Sequence, residues 1–106
     1  MQSKWPSNMS LSEVETKIKE LVLCRLEDTE YQAFLFGSRA TGTAKKWSDY
    51  DVGILGKKPL DSVLKVTIEE DLENSNVPYF VDIVDFYKVT DRFKTVAMKG
   101  AIPWKK

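Results

Sequence analysis

The chain has 106 residues, 42% hydrophobic and 30% charged, which suits one domain with a modest core. Sixteen basic residues balance sixteen acidic ones, so no global field draws it to nucleic acid or to an anionic membrane. It has no histidine and one cysteine, which excludes a Ser-His-Asp or Cys-His triad, a His-ligated zinc site and an internal disulfide. Chemistry here falls to carboxylates, hydroxyls, Lys and Arg.

The opening stretch MQSKWPSNMS lacks the long apolar run of a signal peptide, and nothing later nears the roughly 18 apolar residues of a membrane span. Residues 1–9 read as a loose polar head, and the expected location is the cytoplasm. Ser10 with Glu13 has capping-box spacing, and Ser12 with Glu15 offers a second frame. Val14, Ile18, Leu21, Val22 and Leu26 then recur at helical spacing, which predicts an amphipathic helix over 11–27. Cys24 falls within that pattern and is expected in the core.

YQAFLF, residues 31–36, is short and aromatic-rich and ends at Gly37, so it reads as a buried strand. Residues 38–47 form a loop that can open with a short helix at Ser38. DYDVGIL, 49–55, is a second strand, closed by Gly56 and Pro59. Leu60, Val63, Leu64, Ile68 and Leu72 predict a second helix, and NSNVP a turn. YFVDIVDF, 79–86, is a third strand. Thr90 or Asp91 can cap a last helix carrying Phe93, Val96 and Ala97 and ending at Gly100. The tail AIPWKK is too short to assign. Three strands make a small sheet that needs helices on one face.

A Gly-Ser turn directly after a strand, here Gly37-Ser38, can cradle a phosphate with backbone N–H groups and a hydroxyl, or be a plain turn. Arg39 beside it can grip phosphate oxygens or stand in solvent. Asp49 and Asp51 share one strand face with Gly53, while Tyr50, Val52 and Ile54 share the other. Two carboxylates so spaced suit Mg²⁺, or are two acids on a solvated edge. Asp82 interrupts the apolar run Phe80, Val81, Ile83 and Val84, where an unpaired charge is expensive. If its strand lies beside the Asp49–Asp51 strand, the three acids can hold two metal ions for phosphoryl or nucleotidyl transfer. Asp85 is in the opposite phase and reads as a strand-end or capping acid.

The string GSRATGTAKKWSDYDVGI, followed by VDIV in a later strand, resembles the signature of the minimal nucleotidyltransferases of the polymerase β superfamily. The resemblance implies an α+β nucleotidyltransferase fold, a small mixed sheet with helices on one face and the aspartates on the other. It implies that Gly37 and Ser38 bind a nucleoside triphosphate, with Arg39 as a helper. Asp49, Asp51 and Asp82 would be catalytic and hold two Mg²⁺ ions, Asp82 also acting as base or positioning the attacking hydroxyl. ATP would be the substrate. Minimal members resembling this chain pair with HEPN-type proteins as toxin–antitoxin couples and transfer AMP to a tyrosine of the partner. That function is expected here, with Trp5, Trp47, Trp104 and Ile102 as anchors for the partner or as cover for the chain's own core. A module that binds nucleotide or partner without turnover is the first alternative. A transferase acting on an aminoglycoside-like cation is the second; the acidic run IEEDLEN reads better as a solvated helix face.

Overall fold

The computed structural model describes residues 9–105, in the order α1 (Leu11–Leu26), β1 (Gln32–Phe36), α2 (Ser38–Thr41), β2 (Tyr50–Leu55), α3 (Ser62–Glu73), β3 (Val81–Asp85), α4 (Asp91–Met98) and β4 (Ile102–Lys105). Helix α1 starts at the first of the two capping frames. Ser10 N–H donates to Glu13 Oε1 at 3.0 Å, and Glu13 N–H donates to Ser10 Oγ at 3.2 Å. Asp61 caps α3 and Thr90 caps α4 in the same way, each accepting from a backbone N–H three residues on.

The four strands form one mixed sheet in the order β3-β2-β1-β4. β1 runs antiparallel to both β2 and β4, while β2 and β3 are parallel. A parallel pair needs a crossover, and α3 supplies it. Val14, Ile18, Val22 and Leu26 of α1 and Ile68 and Leu72 of α3 bury one face of the sheet against Ala33, Leu35, Val52, Ile54 and Ile83. Cys24, expected in that core, is exposed. It lies two residues, about 200° around the helix, from both Val22 and Leu26, so the stripe that buries them turns it outward.

The opposite face carries a second, smaller cluster of Phe34, Phe36 and Phe86. Helix α4 lies over this cluster: Phe93 packs edge-on against Phe36, with ring centroids 6.2 Å apart. So β1 is covered on both sides, which explains why it is apolar at every position but Gln32. Gly53 sits directly beneath Phe34 and Phe86, where a Cβ would collide with both rings. Half of the face opposite α1 and α3 is therefore phenylalanine; the other half holds the aspartates.

The tail supplies the fourth strand. β4 holds the sheet edge, where Pro103 costs no interior ladder bond, and Trp104 packs against the main core. Lys105 Nζ reaches across to the end of α1, donating to the Leu26 carbonyl and, at 2.7 Å, to the Thr29 carbonyl. The Leu26 carbonyl also accepts from Thr29 N–H and Thr29 Oγ1, so the ammonium joins the turn that closes α1. The acidic run on α3 is partly spent on ion pairs, Asp71 with Arg25 at 2.7 Å and Glu69 with Lys65 at 3.6 Å. Of the polar head, Met9 packs against the main core, and residues 1–8, Trp5 included, lie outside the described residues. No helix among the described residues is long and apolar enough to cross a membrane.

Replacing Lys105 by Met keeps the apolar stem and removes the donor. The urea midpoint should drop by the equivalent of about 1–3 kcal/mol, the cost of losing charge-assisted bonds to partly buried carbonyls. An unchanged midpoint would show that water replaces the ammonium at no cost.

Candidate active site

The site is built where β1 ends and β2 begins. In the parallel ladder Asp51 stands opposite Asp82, and Gly53 opposite Val84. Successive residues of a strand point to opposite faces, so Asp51 and Asp82 project on the same side as Phe34 and Phe36, away from α1 and α3. Asp49 lies just before β2 and is exposed, as is Asp82, while Asp51 is half-buried.

Gly37 presses on this pair. It has φ +78°, a left-handed value, and a Cβ built on it would run into the Asp51 carboxylate. Only glycine satisfies both demands. The chain then makes the single turn of α2, closed by Gly42 at φ +82°. Thus Ser38 follows a residue that touches Asp51.

Three negative side chains crowd one patch, and Asp51 registers it. Burial, then repulsion by Asp82 and by Asp49, holds its carboxyl above the ordinary carboxylate range. All the donors are hard oxygens, the set that Mg²⁺ takes from proteins. Among the described residues no three acidic, histidine or cysteine side chains are already gathered into a ligand set. Closure on a cation therefore needs rotation of the side chains, which exposed Asp49 and Asp82 can make. The chemistry of the donors fits a divalent ion.

Arg39, the residue after Ser38, is held against the loop that leads to β2. Its Nη2 donates to the Ser48 carbonyl at 2.8 Å and to the Lys46 carbonyl at 3.2 Å, and its Nε donates to Ser48 O at 3.1 Å. The guanidinium lies 4.5 Å from the Tyr50 ring centre and 4.9 Å from that of Tyr79. Tyr50 faces the main core, opposite to Asp51. Arg39 is thus a strut that ties α2 to the loop delivering Asp49, and its head is on the far side of the strand from the carboxylates. Of the two tyrosines that hold it, Tyr50 lies on the strand face opposite the aspartates and Tyr79 opens the third predicted strand. Tyr50, between two aspartates, was the one available signal that the second face also serves the site.

Asp85 accepts from Leu60 N–H and from Tyr87 N–H, both at 3.0 Å, and closes the turn after β3. It takes no part in the carboxylate patch, as its phase predicted. Trp47 is 51% exposed and stacks on Tyr79 at 5.5 Å, and Ile102 is also exposed, whereas Trp104 is largely covered by the chain's own core.

A short helix after a strand-ending glycine, two carboxylates at the start of the next strand and a third in register beside them thus meet at one end of the sheet. The chain matches the family described as "Polymerase beta, Nucleotidyltransferase" over residues 12–102, and it belongs to that family. It is 31% identical over 94 residues to "Probable protein adenylyltransferase MntA" of Haemophilus influenzae, covering 85% of this chain and 82% of that protein. A solved minimal nucleotidyltransferase superposes with a TM-score of 0.70 at 25% identity, over 92% of this chain and 98% of the other. A chain from the complex of tri-AMPylated Shewanella oneidensis HEPN toxin with MNT antitoxin gives 0.60 at 18% identity, over 85% of this chain and 71% of the other. That last likeness is one of fold.

Because its pKa is raised on folding, Asp51 binds its proton more tightly in the native state than in the unfolded one. Stability from this group is full at acid pH and is lost as pH rises through the raised value. Asp51→Asn should therefore raise the melting temperature at pH 7 in EDTA by roughly 2–4 °C, a fraction of the shift that 1 kcal/mol gives a domain of this size. The gain should shrink toward pH 4. A variant that melts lower at both pH values would contradict the repulsion.

Gly37→Ala should lower stability by roughly 1–3 kcal/mol in urea denaturation, since it meets both an unfavourable φ and the Asp51 carboxylate. Gly42→Ala meets nothing within 4 Å and should suffer only the backbone strain, a smaller loss.

Proposed function

We propose that this chain is a cytoplasmic, Mg²⁺-dependent protein adenylyltransferase that moves AMP from ATP to a tyrosine hydroxyl of a HEPN-type partner, in the role of an antitoxin. The observation that carries the reading is the Asp51–Asp82 register with Gly37 against Asp51. It puts a candidate phosphate turn and a carboxylate patch on one another's doorstep. Family membership supplies the reaction class. The protein adenylyltransferase name of the H. influenzae relative and the tri-AMPylated toxin of the S. oneidensis complex support a HEPN-type protein as acceptor.

In this reading Gly37 N–H and Ser38 N–H and Oγ bind the triphosphate, the glycine allowing close approach. Asp49, Asp51 and Asp82 hold the metal. Bound Mg²⁺ offsets the charge on the phosphoryl oxygens and lowers the pKa of the attacking hydroxyl. Asp82, at the open edge of the sheet, faces the incoming tyrosine and takes its proton. The tyrosine oxygen bonds to the α-phosphorus, the bond from that phosphorus to the bridging oxygen breaks, and pyrophosphate leaves. Arg39 contributes at one remove, by fixing the loop that delivers Asp49. Exposed Trp47, next to that loop, is placed to meet the partner.

The test is the intact mass of a HEPN-type protein from the same organism, after incubation with this chain, ATP and Mg²⁺. One or more AMP units should appear, and Asp49→Ala/Asp51→Ala should slow their appearance by at least roughly 100-fold. A stable complex with no mass gain from any of the four nucleotides would reduce the chain to a binding module.

A further inference from the structure

Helix α3 carries a stripe that the fold leaves uncovered. Val66, Glu69, Glu70 and Glu73 recur at helical spacing and line one side of a groove of about 340 Å³, with Phe80 and Val81 on the other side. β3 is the last strand of the sheet, so among the described residues no strand lies beyond the groove. Apolar surface in it is left to water: Val66 is 50% and Phe80 66% exposed. Val63, three residues before Val66, is 71% exposed and extends that surface along the helix. The glutamates stand three and four residues apart, where like charges repel. Glu69 is partly offset by Lys65, but Glu70 has no ion-pair partner among the described residues.

The groove borders the candidate active site. Phe80 continues the β2–β3 ladder, its carbonyl accepting from Tyr50 N–H at 3.0 Å, which puts its side chain in phase with Asp82 two residues on. An acceptor hydroxyl that reaches Asp82 from the open edge brings the surface around it over Phe80 and α3. We propose that this groove docks the acceptor protein through a surface, beside the target tyrosine, that sets Lys or Arg around an apolar side chain. Charge complementarity fixes the sign, since an acidic or neutral surface would cover Glu70 without giving it a partner. A small cation would answer the glutamates and leave Val66 and Phe80 to water, whereas a protein surface covers both. The inference rests on the reading of Asp82 as the group that faces the acceptor tyrosine.

Initial rates of AMP transfer to the HEPN-type protein, its concentration varied at saturating ATP and Mg²⁺, give kcat and KM for the acceptor. Glu70→Lys and Phe80→Ala should each raise that KM about tenfold, the loss expected for a repulsive charge or a missing aromatic anchor. Both positions are exposed, so melting temperature and calorimetric ATP affinity should match wild type. Replacing a Lys or Arg beside the acceptor's tyrosine by Glu should restore the KM of Glu70→Lys. Val96→Arg, on the exposed face of α4, is the control and should leave KM unchanged. KM unchanged in both groove variants, or raised by Val96→Arg alone, overturns the docking surface while the transferase reading stands. AMP transfer to an aminoglycoside that the groove variants abolish would assign the groove to a small cation and also overturns it. Should wild type transfer nothing, calorimetric titration of the HEPN-type protein into this chain decides. Weaker binding by Glu70→Lys then keeps the docking surface and drops the transferase reading, and unchanged binding overturns both.

Discussion

The parallel pairing of β2 with β3 places one carboxylate directly beside another, and the other features of the site answer that arrangement. Strands in a sheet lie about 4.8 Å apart, and like charges at that separation repel. A structure selected for stability alone would stagger Asp51 and Asp82 or replace one of them. Instead the crossover through α3 fixes their register, and Gly37 lies so near Asp51 that a Cβ there would run into its carboxylate. The result is a carboxyl held above its usual pKa by burial and by two neighbouring acids. A bound cation would turn this repulsion into attraction.

The two faces of the small sheet are not independent. Tyr50 is buried against the helices, yet its ring supports the Arg39 guanidinium that ties α2 to the Ser48 carbonyl. Asp49 follows Ser48, and Ser38 opens α2. The positions of a candidate metal ligand and of a candidate phosphate-binding hydroxyl thus depend on one cation–π and hydrogen-bond assembly on the far side of β2. Positioning by rigid support, with the reactive groups left mobile, suits a site that must close around its ligand.

Most of this was legible before the structure. The aspartate faces followed from the two-residue period of a strand, the position of Asp82 from its interruption of an apolar run, and the exclusion of Asp85 from its phase. Helix starts followed from Ser10 and Thr90. What escaped notice was non-local. β4 is four residues with a proline, and only pairing with β1 makes it a strand. The cover that α4 gives to the phenylalanine cluster depends on how the chain returns after β3. Cys24 was misplaced because its neighbours are apolar, although its angle on the helix turns it outward. Nothing local to Arg39 showed that a carbonyl nine residues on would accept from its guanidinium.

In the proposed function the turn at Gly37–Ser38 and the acids Asp49, Asp51 and Asp82 form one cation-dependent nucleotide site. The most direct measurement is paramagnetic broadening of the chain's backbone amide resonances by Mn²⁺ added with ATP. Amides at 37–38, 49–51 and 82 should broaden together at the lowest Mn²⁺ concentrations, and Asp51→Asn should abolish the effect at all of them. Broadening centred on the acidic face of α3, or at the turn alone without the aspartates, would contradict it.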